Sequence, residues 1–190
     1  MTAALRPACA GDLAGILAVQ AACYGSSLRE PDDVWQARLA RTAAHWRVAV
    51  DEGGALHAYL AAYPSVPGAV TPLHGAFSPA RDAGTLYLHD LAVHPDHAGR
   101  GLGQALVAAL LAQARDGGVR QAALVAVEGA AAFWERQGFA AQPAADAAMR
   151  AALAGYGEGA LYMVLPLDIP SQVPNHCGRT VAASGIYPST

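Results

Sequence analysis

The stretch from Thr85 to Gly103 constrains this chain most. TLYLHDLAV, Thr85 to Val93, is a mostly apolar run of strand length, and His94-Pro95-Asp96-His97-Ala98-Gly99 breaks it. Leu102, Ala105, Leu106, Ala109 and Leu110 then fall at the i, i+3, i+4, i+7, i+8 spacing of one helix face. A buried strand that feeds a helix across a glycine-rich turn belongs in a layered α/β fold. Gly99, Gly101 and Gly103 alternate with Arg100 and Leu102, so backbone N–H groups and the positive end of a helix dipole are predicted to converge on one spot. That spot suits a phosphate, because a glycine lets the backbone approach closely. A tight turn with close helix packing is the other reading of such a GxGxG. The dinucleotide pattern GxGxxG is not met: six-residue windows opening at Gly99 and Gly101 close on Gln104 and Leu106, and no acidic residue stands about 20 positions on to hold a ribose. All 12 basic residues are arginine, which removes a P-loop lysine and Schiff-base chemistry.

The rest of the chain reads as further layers of the same fold. Asp12 is a candidate N-cap for a helix to about Ala22, with Leu13, Ile16 and Leu17 inward. A second helix is predicted from Pro31, with Asp32 and Asp33 in its first turn and Trp35 and Leu39 sharing a face. His45 to Val50 and Ala55 to Tyr63 alternate around Asp51-Glu52-Gly53-Gly54 as a hairpin. Pro64 to Gly84 holds four prolines and three glycines without periodicity, a loop long enough to be functional or disordered. Gln121 to Val127 is a strand, Ala130 to Arg136 a short helix closed by Gly138, and Leu161 to Leu167 a last strand. Residues 1–167 are thus expected to form one domain. Residues 168–190, polar and punctuated by Pro170, Pro174 and Pro188, are a tail that is disordered or packs on a neighbour.

Composition narrows the partners. A chain of 190 residues buries roughly 70% of its unfolded surface, and 54% hydrophobic against 14% charged residues rules out a mostly disordered protein. A net charge of −3 gives no footprint for nucleic acid. Cys9, Cys23 and Cys177 are odd in number with no CxxC, so neither a disulfide framework nor a zinc site is expected; His94 and His97, lacking further ligands at workable spacing, read as solvated loop residues. Arg6 and Pro7 interrupt any signal-like run and no 18-residue apolar window occurs, which leads to the expectation of a cytoplasmic, soluble protein with no membrane partner.

LAVHPDHAGRGLGQAL resembles the acetyl-CoA motif of the GNAT superfamily of N-acetyltransferases, and FWERQGF, Phe133 to Phe139, resembles the FYxxxGF that closes the same domain. The resemblance spans roughly residues 4–167, with Leu5-Arg6-Pro7-Ala8 similar to the family's first strand and Tyr162-Met163-Val164-Leu165 to its last. It implies a three-layer α/β (α+β) fold whose central twisted mixed sheet of 6–7 strands is flanked by about four helices and splayed near its middle. It implies acetyl-CoA as co-substrate and no metal. Backbone amides of Leu91, Ala92 and Val93 would receive the pantetheine and thioester, and those of Ala98, Gly99, Arg100, Gly101, Leu102, Gly103 and Gln104 the pyrophosphate. The family usually has Arg or Gln where Ala98 stands, a departure that backbone N–H groups can absorb.

TLYLHDLAVHP and the segment Arg120 to Phe139 are most similar to the arylalkylamine (serotonin) N-acetyltransferases and their bacterial relatives, which carry two histidines two apart on this strand. The resemblance makes His89 the base and Tyr87 its companion. Residues two apart on a strand share a face, so both are expected to look into the acceptor site, with Asp90 turned away unless a bulge intervenes and expected in a structural role, accepting backbone N–H bonds beside the bulge. An amine acceptor titrates near 10, so about one molecule in a thousand is unprotonated at neutral pH and a base is required; histidine suits that task, although a buried core histidine is the other reading. Tyr24 lines the acceptor pocket or is a core aromatic, and Pro72, Leu73 and Phe77 are expected as its apolar walls. Trp134 stands where the family has a tyrosine that protonates the departing thiolate, which an indole cannot do, and is assigned to substrate contact. The expected activity is an acyltransferase reaction, acetyl-CoA to a small primary amine by direct attack. A covalent cysteine route is disfavoured by the separation of Cys9 and Cys23 from the motif. The rivals are a non-catalytic acyl-CoA-binding or sensing domain and a protein N-acetyltransferase; the amine and the oligomeric state, a homodimer among the choices, stay open.

Overall fold

A computed structural model of the chain describes residues 3–25, 28–81, 83–127 and 129–167; the expected tail at 168–190 lies outside them. The strands are β1 (Ala4–Pro7), β2 (Arg47–Val50), β3 (Leu56–Ser65), β4 (Thr85–Val93), β5 (Gln121–Ala126), β6 (Ala140–Ala141) and β7 (Leu161–Pro166). The helices are α1 (Leu13–Cys23), α2 (Asp32–Thr42), α3 (Leu102–Asp116), α4 (Ala131–Arg136) and α5 (Ala147–Ala154). All strands join one sheet in the order β1-β2-β3-β4-β5-β7-β6, antiparallel except for the parallel β4–β5 pair. The GNAT-like mixed sheet expected from the sequence is therefore present, with seven strands and one helix beyond the expected four. The addition is α5, announced by Asp146, whose side chain accepts a hydrogen bond from the Met149 N–H at 2.8 Å.

Alternation along β3 builds the layers. Ala58, Leu60 and Ala62 face α3, where Leu106, Val107, Leu110 and Leu111 cover them. Tyr59, Ala61 and Tyr63 face the other way and lie in the cluster with Ile16 and Val19 of α1 and Trp35 and Leu39 of α2. Trp35 anchors this second layer, edge-on to Trp46 at 5.4 Å and to Tyr59 at 5.3 Å. Such pairs contribute roughly 0.5–1.5 kcal/mol beyond the area they bury. β3 takes in Pro64 and Ser65, which the sequence reading placed in the loop. Pro64 is tolerated because β2 pairs with β3 only as far as Leu60, leaving no ladder bond on that edge for the missing N–H to make.

Two irregularities position the site. β4 and β5 pair from Thr85↔Gln121 to Leu88↔Leu124 and then diverge, opening the sheet between Asp90–Val93 and the end of β5. On its other edge β4 slips register: Ala61 pairs with Asp90 and Ala62 with Leu88, so His89 is the extra residue of a bulge. Leu88 stays on the α3 side, whereas His89 and Asp90 both turn toward α1 and α2. Among the described residues no helix is long and apolar enough to cross a membrane.

Candidate active site

On the α3 side of the opening a cleft of about 470 Å³ runs from the end of β4 over the glycine loop. Gly99 and Gly101 hold positive φ values of 73° and 78°, a conformation that strains residues with a Cβ. Gly101 precedes α3 and its carbonyl accepts the Ala105 N–H at 3.0 Å. Of the expected cofactor residues, Leu91, Val93, Ala98, Gly99, Gly101, Leu102, Gly103 and Gln104 line this cleft. Arg100 is exposed beside it. Ala92 is buried on the opposite face, under α1. The ladder explains the difference: His94 N–H donates to His57 O at 2.8 Å, so alternation gives Ala92 N–H to Tyr59 and leaves Leu91 and Val93 N–H aimed at the opening. His97, expected in solvent, also lines the cleft and stacks on His57 at 3.7 Å between ring centroids.

Trp134 joins this cleft to the opening. With Leu91 and Ala130 it lines both the cleft and the cavity between the diverging strands, and it packs edge-on to Phe133 and Phe139 at 5.0 and 5.4 Å. That cavity continues on the far side into one lined by Tyr24, Leu28, Glu30, Leu73, His89, Asp90, Val125, Val127 and Tyr156.

The far side is built on a buried ion cluster. Arg38 reaches from α2 to Glu30, Nη1 to Oε2 in a short contact and Nη2 to Oε1 at 2.8 Å. Both side chains are almost wholly buried. His89 Nε2 lies 3.1 Å from Glu30 Oε2 and 3.1 Å from Arg38 Nη1. The His89 ring is only 3% exposed and its buried Nδ1 has no partner among the described residues. Gln20 pins the chain that carries Glu30: its amide oxygen accepts Glu30 N–H at 2.7 Å and Trp35 Nε1–H at 2.9 Å. The long loop is tied to the same ions. His74, with φ of 62°, donates its N–H to Glu30 Oε1 at 2.9 Å, and the Gly75 carbonyl accepts from Arg38 Nη2 at 2.5 Å. Burial opposes ionisation of Glu30, yet hydrogen bonds from His89 and Arg38 outweigh it and bring the carboxyl down to about 2.

The sequence-predicted acceptor residues divide. Tyr24 and Leu73 line the cavity beside His89. Asp90 faces it too, because of the bulge, and accepts from phenols rather than backbone: Tyr24 Oη to Oδ1 at 2.5 Å and Tyr59 Oη to Oδ2 at 2.6 Å. Tyr87 lies deeper, 1% exposed, and burial, with Tyr156 beside it, pushes its phenol far above the usual range. Phe77 is a core residue, stacked on Tyr63 at 4.3 Å and edge-on to His89 at 4.9 Å, so it supports the histidine from behind. Pro72 is exposed and lines neither cavity. Cys23, remote in sequence, sits at the strand end with Sγ donating to Val93 O at 3.1 Å. Burial, then the Asp90 charge, pushes its thiol up, which keeps it protonated and a poor nucleophile.

Glu30 and Arg38 were not singled out from the sequence, though a signal existed. Trp35, Arg38, Leu39 and Thr42 share one helix face, and an arginine inside a buried stripe requires an anion opposite it. Glu30, at the entry to α2, is that anion. Among the described residues no group of three or more His, Cys, Asp or Glu is arranged to hold a metal.

Known proteins share this architecture. The loading GNATL domain of CurA from Lyngbya majuscula superposes with a TM-score of 0.68 at 13% identity, over 89% of this chain and 98% of that one. A GNAT superfamily phosphinothricin acetyltransferase from Sinorhizobium meliloti, solved with AcCoA, gives 0.65 at 22% identity, over 99% and 97%. The ribosomal-protein-S18-alanine N-acetyltransferase from Escherichia coli gives 0.62 at 16%, over 90% and 97%. These identities carry the fold alone, and no curated protein sequence matches the chain. The acetyltransferase (GNAT) family matches residues 14–139, a span that runs from α1 through the bulged strand and the glycine loop to Phe139. With most of its length inside that match, the chain belongs to the acetyltransferase (GNAT) family.

Proposed function

We propose that the protein is an N-acetyltransferase that moves an acetyl group from acetyl-CoA to a small primary amine by direct attack, with His89 as the base. The observation that carries this reading is His89 itself: a bulged strand residue lining the cavity, held by a carboxylate at Nε2 and, among the described residues, without a partner at its buried Nδ1. In the tautomer that donates Nε2–H to Glu30, Nδ1 has a free lone pair, and the imidazolium formed on taking a proton is stabilised by the Glu30 charge. Bound acetyl-CoA would supply the activated acetyl group. Gly99 to Gln104 would hold its phosphates, and Leu91 and Val93 N–H would face the carbonyl oxygen as it gathers charge. Cavity walls formed by Leu28, Leu73, Val125 and Val127 support an acceptor with an apolar body, in keeping with the arylalkylamine likeness of the strand motif.

Thiol release over a panel of amines with acetyl-CoA tests the activity. His89→Gln should lower kcat/KM at pH 7 by roughly 10²-fold. An unchanged rate would remove His89 from the chemistry. Trp134 at the phenol position favours a second reading, a non-catalytic acyl-CoA sensor, which predicts tight acetyl-CoA binding with no thiol release for any acceptor.

A further inference from the structure

Three histidines meet at the glycine-loop end of the cleft, and the proposed chemistry uses none of them. His57 stands at the start of β3, His94 and His97 in the turn that follows β4. The rings of His57 and His97 stack nearly parallel, 3.7 Å between centroids and 15° between planes. His57 Nε2 donates to Asp51 Oδ2 at 3.0 Å, and His94 Nδ1 accepts the Asp96 N–H at 3.3 Å, which ties that ring to its own turn. The backbone fixes the stack as well: His94 N–H donates to His57 O at 2.8 Å and His97 N–H to His94 O at 2.9 Å. Of the three, only His97 lines the cleft, beside Ala98, Gly99 and Gly101.

Two imidazolium rings in face-to-face contact repel, so the stack holds one positive charge far more readily than two. The other charges acting on His97 come from its own turn and loop, His94 and Arg100 of like sign and Asp96 of opposite sign. Partial desolvation, then His57, Arg100 and His94, hold the His97 imidazole below its usual value, with Asp96 opposing them. His97 is therefore largely neutral at pH 7 in the protein alone. A phosphate on the loop amides reverses the local balance, because it puts negative charge against the one ring of the stack that borders the cleft.

We infer that His97 is a proton-linked phosphate contact: an anion seated over the glycine loop is bound together with a proton that the His57–His97 stack refuses without it. The inference rests on the reading of this cleft as the acyl-CoA site. The proton comes from solvent and forms an N–H bond on the His97 ring, which can then donate to a phosphate oxygen, while His57 keeps its bond to Asp51. Linkage sets the sign: the His97 contribution to affinity is fully present below its value in the free protein and is lost as pH rises through its higher value in the complex. Backbone amides of the loop carry no such dependence, so the linkage separates the side chain from the backbone cradle.

Isothermal titration of coenzyme A into the full chain at pH 7, repeated in PIPES, MOPS and Tris, counts the protons exchanged, because these buffers differ in ionisation enthalpy. The parent should take up at least about 0.3 of a proton more per coenzyme A than His97→Asn. The two affinities should differ by roughly threefold at pH 6.5 and converge by about pH 8.5. The 3′-phosphate of coenzyme A, titrating at about 6, does so with both proteins and cancels in the difference. His57→Gln, which leaves His97 in place but removes the ring it stacks on, should lower the proton count as well, and a full count there would take the stack out of the linkage and overturn the inference. An equal count in parent and H97N overturns it too, as does an affinity difference that is the same at both pH values, which would make His97 a packing residue alone. Failure of the parent to bind coenzyme A at any pH would count instead against the cleft as an acyl-CoA site, and the inference would fall with it.

Discussion

The two halves of the site are built on opposite principles. The proposed cofactor half is built mainly on one stretch, the end of β4 and the loop into α3, with Ala130, Phe133 and Trp134 as its further wall, and it would offer mainly backbone N–H groups. The proposed acceptor half draws on Tyr24 just past α1, Glu30 before α2, Arg38 on α2, and His89 and Asp90 on β4, with the long loop tied in by His74 and Gly75. A backbone surface is indifferent to most side-chain changes, which is why Ala98 can stand in the loop where the family has Arg or Gln. An assembly of buried ions is not indifferent, because removing one member leaves another charged and unpaired. Substitutions should separate the halves accordingly.

The largest expected effect is at Glu30. Glu30→Ala leaves the Arg38 guanidinium, 1% exposed, without its anion, at a cost of about 3–5 kcal/mol, while Glu30→Met with Arg38→Met should regain much of that loss. For a chain of this size the single variant should melt roughly 10 °C lower. Acetyl-CoA affinity per folded molecule, read by calorimetry, should not move; a fall equal to that of the amine would mean that the halves are not separable. The same carboxylate links stability to acid. Its folded pKa of about 2 lies below the usual value near 4.3, so its contribution, about 3 kcal/mol, is fully present above 4.3 and is lost as pH falls from there toward 2. Urea midpoints between pH 5 and 2.5 should fall less in Glu30→Gln than in the parent, the loss that remains coming from Asp12, whose carboxyl the hydrogen bond from Arg6 likewise brings down to about 2.

A smaller effect, confined to the other half, is expected at Gly101. Valine there would have to hold a φ of 78°, strain of about 1–2 kcal/mol, although no protein atom lies within 4 Å of the new Cβ. Acetyl-CoA affinity should fall at least about tenfold, or 1.4 kcal/mol, with amine affinity unchanged. Full affinity in a folded G101V would show that the loop does not hold the cofactor.

The smallest effect belongs to the boundary between halves. Trp134→Tyr restores a phenol where a departing thiolate would need a proton, and should raise kcat by several-fold, below the roughly 10²-fold low end of acid catalysis because thiolate already leaves fairly well. Steady-state kinetics decide it, and a lower kcat would make the indole a packing surface for the thioester or the amine.

The same division governs what the sequence discloses. TLYLHDLAV, the glycines and the α3 face are local patterns, and β4 and α3 fall within the expected bounds. The acceptor half depends on which remote side chains meet. Tyr87 and His89 do share a face, yet layering beneath Tyr63 and Tyr156 sends Tyr87 into the core, a matter of depth that alternation cannot express. Arg38 went unnoticed because one charge in a helix reads as solvated until the face it occupies is compared with its neighbours Trp35 and Leu39. α5 escaped because AAMRAALA is so rich in alanine that apolar and polar positions hardly contrast, leaving Asp146 as the only local mark.

The three tryptophans of the chain are unequally placed. Trp35 and Trp46 are fully enclosed against each other and line neither cavity, whereas Trp134 forms the wall that the cleft and the sheet opening have in common. The molecule thus carries its own optical reporter. Emission from the enclosed pair follows the integrity of the core, while emission from Trp134 responds to whatever enters from either side, so filling of the cleft and melting of the fold leave different spectral traces in a single unlabelled sample.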